Sequence, residues 1–212
     1  KNDFEILVYN SPYKVFNRRN EVVVSVSYNN KTNHMSRKNQ KLYVGGGCFW
    51  CVEAVFQDVV GVEKVISGYS GGFINNPTYE QVSSGRTKHA EVCEITYDPS
   101  AIKLEQLLKI FFLSHDPTTI NRQGNDVGEH YRSIVFFSDS NQKNVIENVI
   151  SELNETIFDH KIVTQVQEFD TFYKAETYHQ DYYQNNKFAP YCSYVISPKV
   201  DKLKKELSQF YK

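Results

Sequence analysis

Short apolar runs alternate with polar residues along the chain, and their spacing predicts a series of strands and helices. Continuous or alternating runs of β-branched and aromatic residues are typical of strands, and apolar positions three or four residues apart are typical of helices. The predicted strands are 42–44, 62–68, 90–97, 133–137 and 161–167, and the predicted helices are 51–59, 104–114, 141–154 and 199–210. Strands interleaved with helices indicate an α/β fold, whose sheet can be parallel, antiparallel or mixed.

Residues 1–39 differ in composition from the rest of the chain. They carry seven basic and three acidic side chains, and their last part is polar and rich in asparagine. The apolar run 22–26 is compatible with a strand, but a basic segment poor in acidic residues is also typical of a targeting sequence. We therefore expect residues 1–39 to be an N-terminal appendage, either a targeting remnant or a flexible segment, and residues 40–212 to form one domain.

Composition narrows the class of protein. A chain of 212 residues with 40% hydrophobic side chains can bury a substantial core. Its net charge of -1 gives no basis for a nucleic-acid or membrane partner held by bulk electrostatics. No apolar run reaches the roughly 18 residues needed to span a bilayer. Four cysteines in a chain of this length are not typical of a disulfide scaffold, so we expect the cytoplasm or a reducing organelle.

The most informative segment is the run 45–51, which reads GGGCFWC. Glycines without a Cβ allow a tight turn and the close approach of another molecule to Cys48, while Phe49 and Trp50 can form an apolar wall. Cys48 lies at a predicted strand-to-helix corner, where free backbone N–H groups and the helix dipole favour a thiolate. We expect these effects to lower the pKa of Cys48 from about 8.5 toward about 7.

Other interpretations of the cysteines stay open at this point. Cys48 and Cys51 are also compatible with apolar core residues, since free cysteine packs as a small hydrophobe. A zinc site formed with Cys93 and Cys192 has only half of the usual paired spacing.

Polar and aromatic residues also cluster in three predicted loops, where binding sites usually form. These loops are 76–92, 115–133 and 178–183.

Seven short strings, in order along residues 41–198, resemble the peptide methionine sulfoxide reductase A family. They are GCFWC at 47–51, GYSGG at 68–72, NPTY at 76–79, HAE at 89–91, YDP at 97–99, QGND at 123–126 with YRS at 131–133, and AE at 175–176 with YHQ at 178–180. The resemblance implies a two-layer α/β plait with a mixed sheet and long irregular flanking loops. It also implies reduction of the S epimer of methionine sulfoxide, free or within a protein, to methionine.

The resemblance assigns the first half of the reaction to particular residues. Cys48 is the implied nucleophile, whose thiolate attacks the sulfoxide sulfur and becomes a sulfenic acid. Phe49 and Trp50 are implied to hold the S-methyl group of the substrate. Glu91 is the implied general acid, and this role requires burial to raise its pKa from about 4.3 by roughly two units.

Three further residues are implied to complete the substrate site. Tyr79 and Tyr131 donate their hydroxyl groups to the polarised sulfoxide oxygen, as in an oxyanion hole. Asp126 is a pocket residue carried by the loop 123–128, and a purely loop-stabilising role for this aspartate is equally compatible with the sequence.

The second half of the reaction needs a cysteine that resolves the sulfenic acid. Cys192 and Cys51 are the two candidates, and we favour Cys192 slightly because a Cys51 side chain turned into the helix could not reach Cys48. Cys93 shares a strand face with Glu91 and is expected to be a core or pocket-wall residue. The family implies that thioredoxin or another dithiol reduces the resulting disulfide, without a metal or other cofactor, and we expect a monomer.

The chain departs from the commonest family pattern at two places. Lys88 occupies a position where glycine is frequent, and residues 190–196 lead into a helix where many relatives have a glycine-rich arm.

Two other functions are also compatible with the cysteines of this sequence. One is a general thiol-disulfide oxidoreductase that uses only Cys48 and Cys51, and the other is a binding module stabilised by zinc.

Overall fold

A computed structural model describes residues 39–212, so the predictions made for residues 1–38 lie outside the described part of the chain. The strands are β1 (Gln40–Gly45), β2 (Val62–Ser70), β3 (Ala90–Tyr97), β4 (Arg122–Gln123), β5 (Asp126–Val127), β6 (Ile134–Phe137), β7 (Gln165–Glu168) and β8 (Phe172–Lys174). The α-helices are α1 (Phe49–Gln57), α2 (Tyr79–Ser83), α3 (Leu104–Ser114), α4 (Ser140–Leu153), α5 (Tyr182–Asn185) and α6 (Ser197–Glu206).

Six of the strands form one mixed sheet in the order β7-β6-β1-β3-β2-β8, and β4 pairs with β5 as a separate short hairpin. The pair β6 and β7 is parallel, while the other neighbours in the large sheet are antiparallel. The sequence pattern had left the pairing direction open. The mixed sheet confirms the fold class that the family resemblance implies.

Helices cover one face of this sheet and enclose the main core. The strand residues Val44 and Ile95 point toward it, and they meet the fully buried rings of Phe56 from α1 and Phe111 from α3. Each such buried apolar side chain stabilises the fold by about 1.5–3 kcal/mol relative to an exposed one. Because side chains alternate along a strand, Glu91 and Cys93 of β3 both lie on this helical face, as the sequence predicted.

A smaller cluster covers the opposite face of the sheet. It contains Tyr43 of β1 and Val92 of β3, and residues from the segment between β7 and β8 pack against it. The ring of Phe169 stacks on Tyr43 with the centroids 3.9 Å apart. The sheet therefore has one thick helical layer and one thin side covered by a loop. The site described below lies on the helical side.

The predicted elements differ from the observed ones mainly near the C-terminus. The strand predicted at 161–167 begins only at Gln165, because the backbone N–H of Val163 donates to Pro117 in a loop instead of a strand. The helix predicted at 199–210 is divided into α6 and a 3-10 turn, Ser208–Phe210, and is preceded by a π-helical turn, Cys192–Ile196. The short elements α2, α5 and β8 were not predicted, since they carry too few residues to show a period.

Candidate active site

Cys48 lies at the corner between β1 and α1, immediately before the first helical residue. The corner depends on its glycines. Gly47 has a φ of +87°, which favours glycine, and a side chain there would approach Gln123 to 2.6 Å. A side chain at Gly45 would approach the Glu91 carbonyl oxygen to 2.5 Å. The glycines thus bring β1 close to β3 and place Cys48 beside Glu91.

Glu91 is buried at the foot of the site, with only 1% of its surface exposed. Its Oε2 accepts the backbone N–H of Phe49 at the start of α1, at 3.0 Å. Burial raises the pKa of Glu91 to about 8, although the hydrogen bond from Phe49 acts in the opposite direction. At pH 7 such a carboxyl group is roughly nine-tenths protonated. The shift has the direction that proton donation by Glu91 requires.

Cys48 and Cys51 are adjacent at the start of α1, where the backbone N–H of Cys51 donates to the Cys48 carbonyl oxygen at 3.0 Å, and each thiol shifts the pKa of the other. Burial, then Cys51, and then Glu91 raise the pKa of Cys48 well above its ordinary value, and the N–H of Trp50 lowers it less. The pKa of Cys51 is lowered to about 7, first by the neighbouring Cys48 thiol and against the effect of burial. Our expectation of a lowered pKa for Cys48 is therefore wrong for the resting site. At neutral pH Cys48 keeps its proton in this site.

Tyr79 and Tyr131 are close enough to Glu91 and to each other that each phenol shifts the pKa of the other. The backbone N–H of Tyr79 donates to Glu176 at 2.9 Å, which anchors the start of α2. The carbonyl of Tyr131 accepts the N–H of Gly47 at 3.1 Å, which joins its turn to the Cys48 corner. Burial, and then the nearby Glu91, raise the pKa of both phenols, so both keep their protons.

Phe49 and Trp50 form an aromatic wall that a distant loop completes. Phe49 is buried, and its ring lies 6.2 Å from that of Trp50. The Trp50 ring stacks on Tyr182 with the centroids 3.6 Å apart. The indole N–H of Trp50 donates to His179 Nδ1 at 3.1 Å, so the proton of this neutral imidazole is on Nε2. Burial lowers the pKa of His179, which favours this neutral form.

His179 and Tyr182 had no predicted role in the site. Both lie in the loop 178–183, whose density of polar and aromatic side chains marked it as a candidate. The pattern could not assign them to Trp50, because His179 is 129 residues away from it along the chain.

A cavity of about 430 Å³ opens beside the two cysteines. Asp126, Tyr191 and Lys199 are among the residues that line it. The Tyr191 hydroxyl donates to Asp126 Oδ2 at 2.8 Å and lies 3.6 Å from Cys51 Sγ. Asp126 therefore faces the thiol pair, and Tyr191 is a further residue of the site that the sequence analysis did not single out.

The other two cysteines are placed differently from this pair. Cys192 is fully buried in the π-helical turn that precedes α6, and it is not part of the cavity lining. Cys93 is fully buried too, and its thiol donates to the Phe49 carbonyl oxygen at 3.4 Å. The structure therefore brings Cys51, but not Cys192, into direct contact with Cys48.

Within residues 39–212, no group of three or more histidine, cysteine, aspartate or glutamate side chains has a geometry that could hold a metal ion. None of the helices formed by these residues has the length and apolar character required to cross a membrane.

Comparison with known proteins gives consistent matches over the described residues. A family model described as peptide methionine sulfoxide reductase matches residues 40–211. The peptide methionine sulfoxide reductase MsrA of Trichodesmium erythraeum is 52% identical over 165 residues, which cover 77% of this chain and 93% of that protein. The MsrA of Sulfolobus acidocaldarius is 54% identical over 162 residues, or 76% of this chain and 92% of that protein.

Solved structures match in the same way. Reduced Mxr1 from Saccharomyces cerevisiae superposes with a TM-score of 0.68 at 31% identity, covering 73% of this chain and 90% of that one. Methionine sulfoxide reductase A of Corynebacterium diphtheriae gives a TM-score of 0.64 at 31% identity, covering 72% of this chain and 78% of that one.

Proposed function

Because the chain belongs to the peptide methionine sulfoxide reductase A family, we propose that the site around Cys48 reduces the S epimer of methionine sulfoxide, free or within a protein, to methionine. One observation carries this proposal. A buried thiol pair lies against a carboxyl group that is protonated at neutral pH, beside two phenol hydroxyls and an aromatic wall. These are the groups that transfer of a sulfoxide oxygen to a cysteine requires.

The first step begins with loss of the Cys48 proton. When the sulfoxide binds, this proton passes to the neighbouring Cys51 sulfur, which leaves Cys48 as the thiolate. The Cys48 thiolate attacks the sulfoxide sulfur while Glu91 gives its proton to the sulfoxide oxygen. The protonated oxygen then moves from the substrate sulfur to the Cys48 sulfur. The substrate S–O bond and the new S–S bond break, a Cys48 S–O bond forms, methionine leaves, and Cys48 becomes a sulfenic acid. Glu91 can act in this way because its Oε2 accepts from Phe49, which leaves Oε1 to carry the proton.

The surrounding residues orient the substrate. Tyr79 and Tyr131 donate hydrogen bonds to the sulfoxide oxygen, on which negative charge accumulates before the proton arrives. Phe49 and Trp50 hold the S-methyl group against their rings. Asp126 borders the same pocket.

We propose Cys51 as the cysteine that resolves the sulfenic acid. Its backbone N–H donates to the Cys48 carbonyl oxygen, so the two cysteines are adjacent, and the C-x-x-C spacing at a helix start is compatible with a disulfide. Cys192 has no exposed surface, so it would need the turn 192–196 to unwind before it could reach Cys48. This geometry reverses the slight preference for Cys192 that the sequence suggested. Thioredoxin or a similar dithiol then reduces the disulfide, and no cofactor takes part.

We also propose a location and a domain division for this activity. Because both cysteines must start as thiols, the protein works in a reducing compartment, either the cytoplasm or a reducing organelle. We propose that it works as a monomer. Residues 40–212 form the catalytic domain, and residues 1–39 are an appendage to it. The match of the family model, which begins at residue 40, supports this division.

A single-turnover experiment tests the proposed function. The prereduced protein is mixed with racemic methionine sulfoxide, methionine and both remaining epimers are quantified, and disulfides are mapped by mass spectrometry. We expect loss of the S epimer only, no methionine from Cys48→Ser, and roughly 100-fold slower formation by Glu91→Gln, the usual effect of losing a general acid. Methionine from Cys48→Ser at the wild-type rate would contradict the proposal.

The same experiment identifies the resolving cysteine. Cys51→Ser should give one methionine per protein but no recycling by thioredoxin, whereas Cys192→Ser should still recycle. A disulfide between Cys48 and Cys192 in the wild type would assign the role to Cys192 instead. Full turnover of a disulfide substrate by Glu91→Gln, without sulfoxide reduction by the wild type, would favour a general thiol-disulfide oxidoreductase.

A further inference from the structure

Tyr191 links the proposed resolving cysteine to a carboxylate. Its hydroxyl group lies 3.6 Å from Cys51 Sγ and 2.8 Å from Asp126 Oδ2. Its ring contacts Trp50 edge-on, with the centroids 6.0 Å apart, so the hydroxyl is held in place by the aromatic wall. The three groups form a continuous chain from the thiol to the carboxylate along one wall of the cavity.

The direction of these hydrogen bonds follows from counting protons. A phenol hydroxyl has a single proton, and an ionised carboxylate can only accept. Tyr191 therefore donates to Asp126, and its oxygen is free to accept the S–H proton of Cys51. We propose that Tyr191 and Asp126 form a relay that takes the proton from Cys51 as its sulfur attacks the sulfenic acid of Cys48. This role rests on the function proposed above.

The step balances as follows. The Cys51 sulfur bonds to the Cys48 sulfur and the S–O bond of the sulfenic acid breaks, so that two cysteines are oxidised to one disulfide and the oxygen leaves as water. The Cys51 proton passes to the Tyr191 oxygen while the Tyr191 proton passes to Asp126. The departing hydroxide takes up one proton from solvent and leaves as water, and Asp126 releases its newly gained proton to solvent, so the step consumes no net proton. No further oxidant or reductant is needed.

The relay is needed at this stage because the resting arrangement no longer exists. Before the reaction, the Cys48 thiol is the largest influence that lowers the pKa of Cys51. Once Cys48 is a sulfenic acid, that thiol is lost, and the charge of Lys199 is the largest remaining influence that favours a Cys51 thiolate, so the Cys51 thiol needs an acceptor for its proton. The other titratable groups that interact with Cys51 are Glu91, Cys93, Asp126 and Cys192.

Replacement of Tyr191 by phenylalanine tests the relay, because it keeps the ring and removes only the hydroxyl. The prereduced protein receives one equivalent of methionine sulfoxide, and quenched samples give the methionine formed, the sulfenic acid trapped by a cyclic diketone, and the disulfide. At pH 7 we expect Tyr191→Phe to form the disulfide about 100-fold more slowly and to accumulate sulfenic acid. Tyr194→Phe is the matched control, since Tyr194 is 83% exposed, and it should keep the wild-type rate.

The pH dependence separates a proton relay from a structural role. As the pH rises, a growing fraction of the Cys51 thiol ionises without help, so the difference in rate between Tyr191→Phe and the wild type should shrink with increasing pH. Asp126→Asn, which removes the proton acceptor, should show the same slow step at pH 7 and the same dependence on pH.

Three results would overturn the relay. The first is a wild-type rate of disulfide formation in Tyr191→Phe at pH 7, and the second is a slowing that is equal at every pH. The third is a wild-type disulfide formed by Cys192. Absence of methionine from the wild-type protein would instead refute the proposed function, and the relay with it, so the methionine yield distinguishes the two failures.

Discussion

Glu91 should make the protein less stable as the pH rises, and Glu91→Gln should remove this effect. The carboxyl group has a pKa of about 8 in the folded protein, against an ordinary value of 4.5. The folded state therefore holds a proton that the unfolded chain releases between these two values. Stability contributed by the protonated form is fully present below about pH 4.5, and it is lost progressively until the pH reaches about 8.

The size of the effect follows from the same two values. Each pKa unit corresponds to about 1.36 kcal/mol, so a shift from 4.5 to about 8 amounts to about 5 kcal/mol. About 3 kcal/mol of this is already lost at pH 7. Glutamine is neutral at every pH, has nearly the same shape, and can still accept the N–H of Phe49. The free energy of unfolding of Glu91→Gln should exceed that of the wild type by an amount that grows with pH.

Urea unfolding of both proteins, followed by circular dichroism between about pH 5 and pH 8.5, measures this difference. Glu94→Gln is the matched control, because Glu94 lies on the same strand and accepts from Lys41 and Tyr43. Its replacement removes an ion pair and should give no gain. A difference between Glu91→Gln and the wild type that stays constant or shrinks as the pH rises would refute the reasoning.

Two further predictions concern single side chains. Lys88 has a left-handed φ of +63°, which favours glycine, so Lys88→Gly should raise the free energy of unfolding measured in urea by about 0.5–1 kcal/mol. The control is Lys161→Gly, which should lower the free energy of unfolding, because Lys161 is a loop lysine in a similar exposed ion pair. Tyr182→Leu removes the ring stacked on Trp50, so it should raise KM for methionine sulfoxide up to about tenfold in steady-state assays. Phe188→Leu, at a 97% exposed ring, should not. Lower stability of Lys88→Gly, or an unchanged KM in Tyr182→Leu, would contradict these predictions.

Local patterns predicted much of the fold. The alternation along β3 placed Glu91 and Cys93 on one face, and both side chains lie there. The three glycines predicted the close corner at Cys48, which depends on Gly47. These features depend on neighbours in the sequence or on the period of a strand, so the sequence alone contains them.

The electrostatics of the site could not be predicted in the same way. The pKa of Cys48 was expected to fall because the helix start is visible in the sequence, but it rises because burial and the orientation of Cys51 outweigh the helix. Tyr191 contacts Cys51 from 140 residues away, and His179 contacts Trp50 from 129 residues away. Such contacts require the packing of α1 against the C-terminal loops, which no local period specifies.

The central claim is that Cys48 itself takes the oxygen of the sulfoxide. The most direct measurement uses a protein in which Cys51, Cys93 and Cys192 are all replaced by serine, so that Cys48 is the sole thiol. After one equivalent of the S epimer, we expect one methionine per protein and an intact mass increased by one oxygen atom, located on Cys48 by trapping of the sulfenic acid. Methionine formed without oxygen on Cys48 would contradict the account.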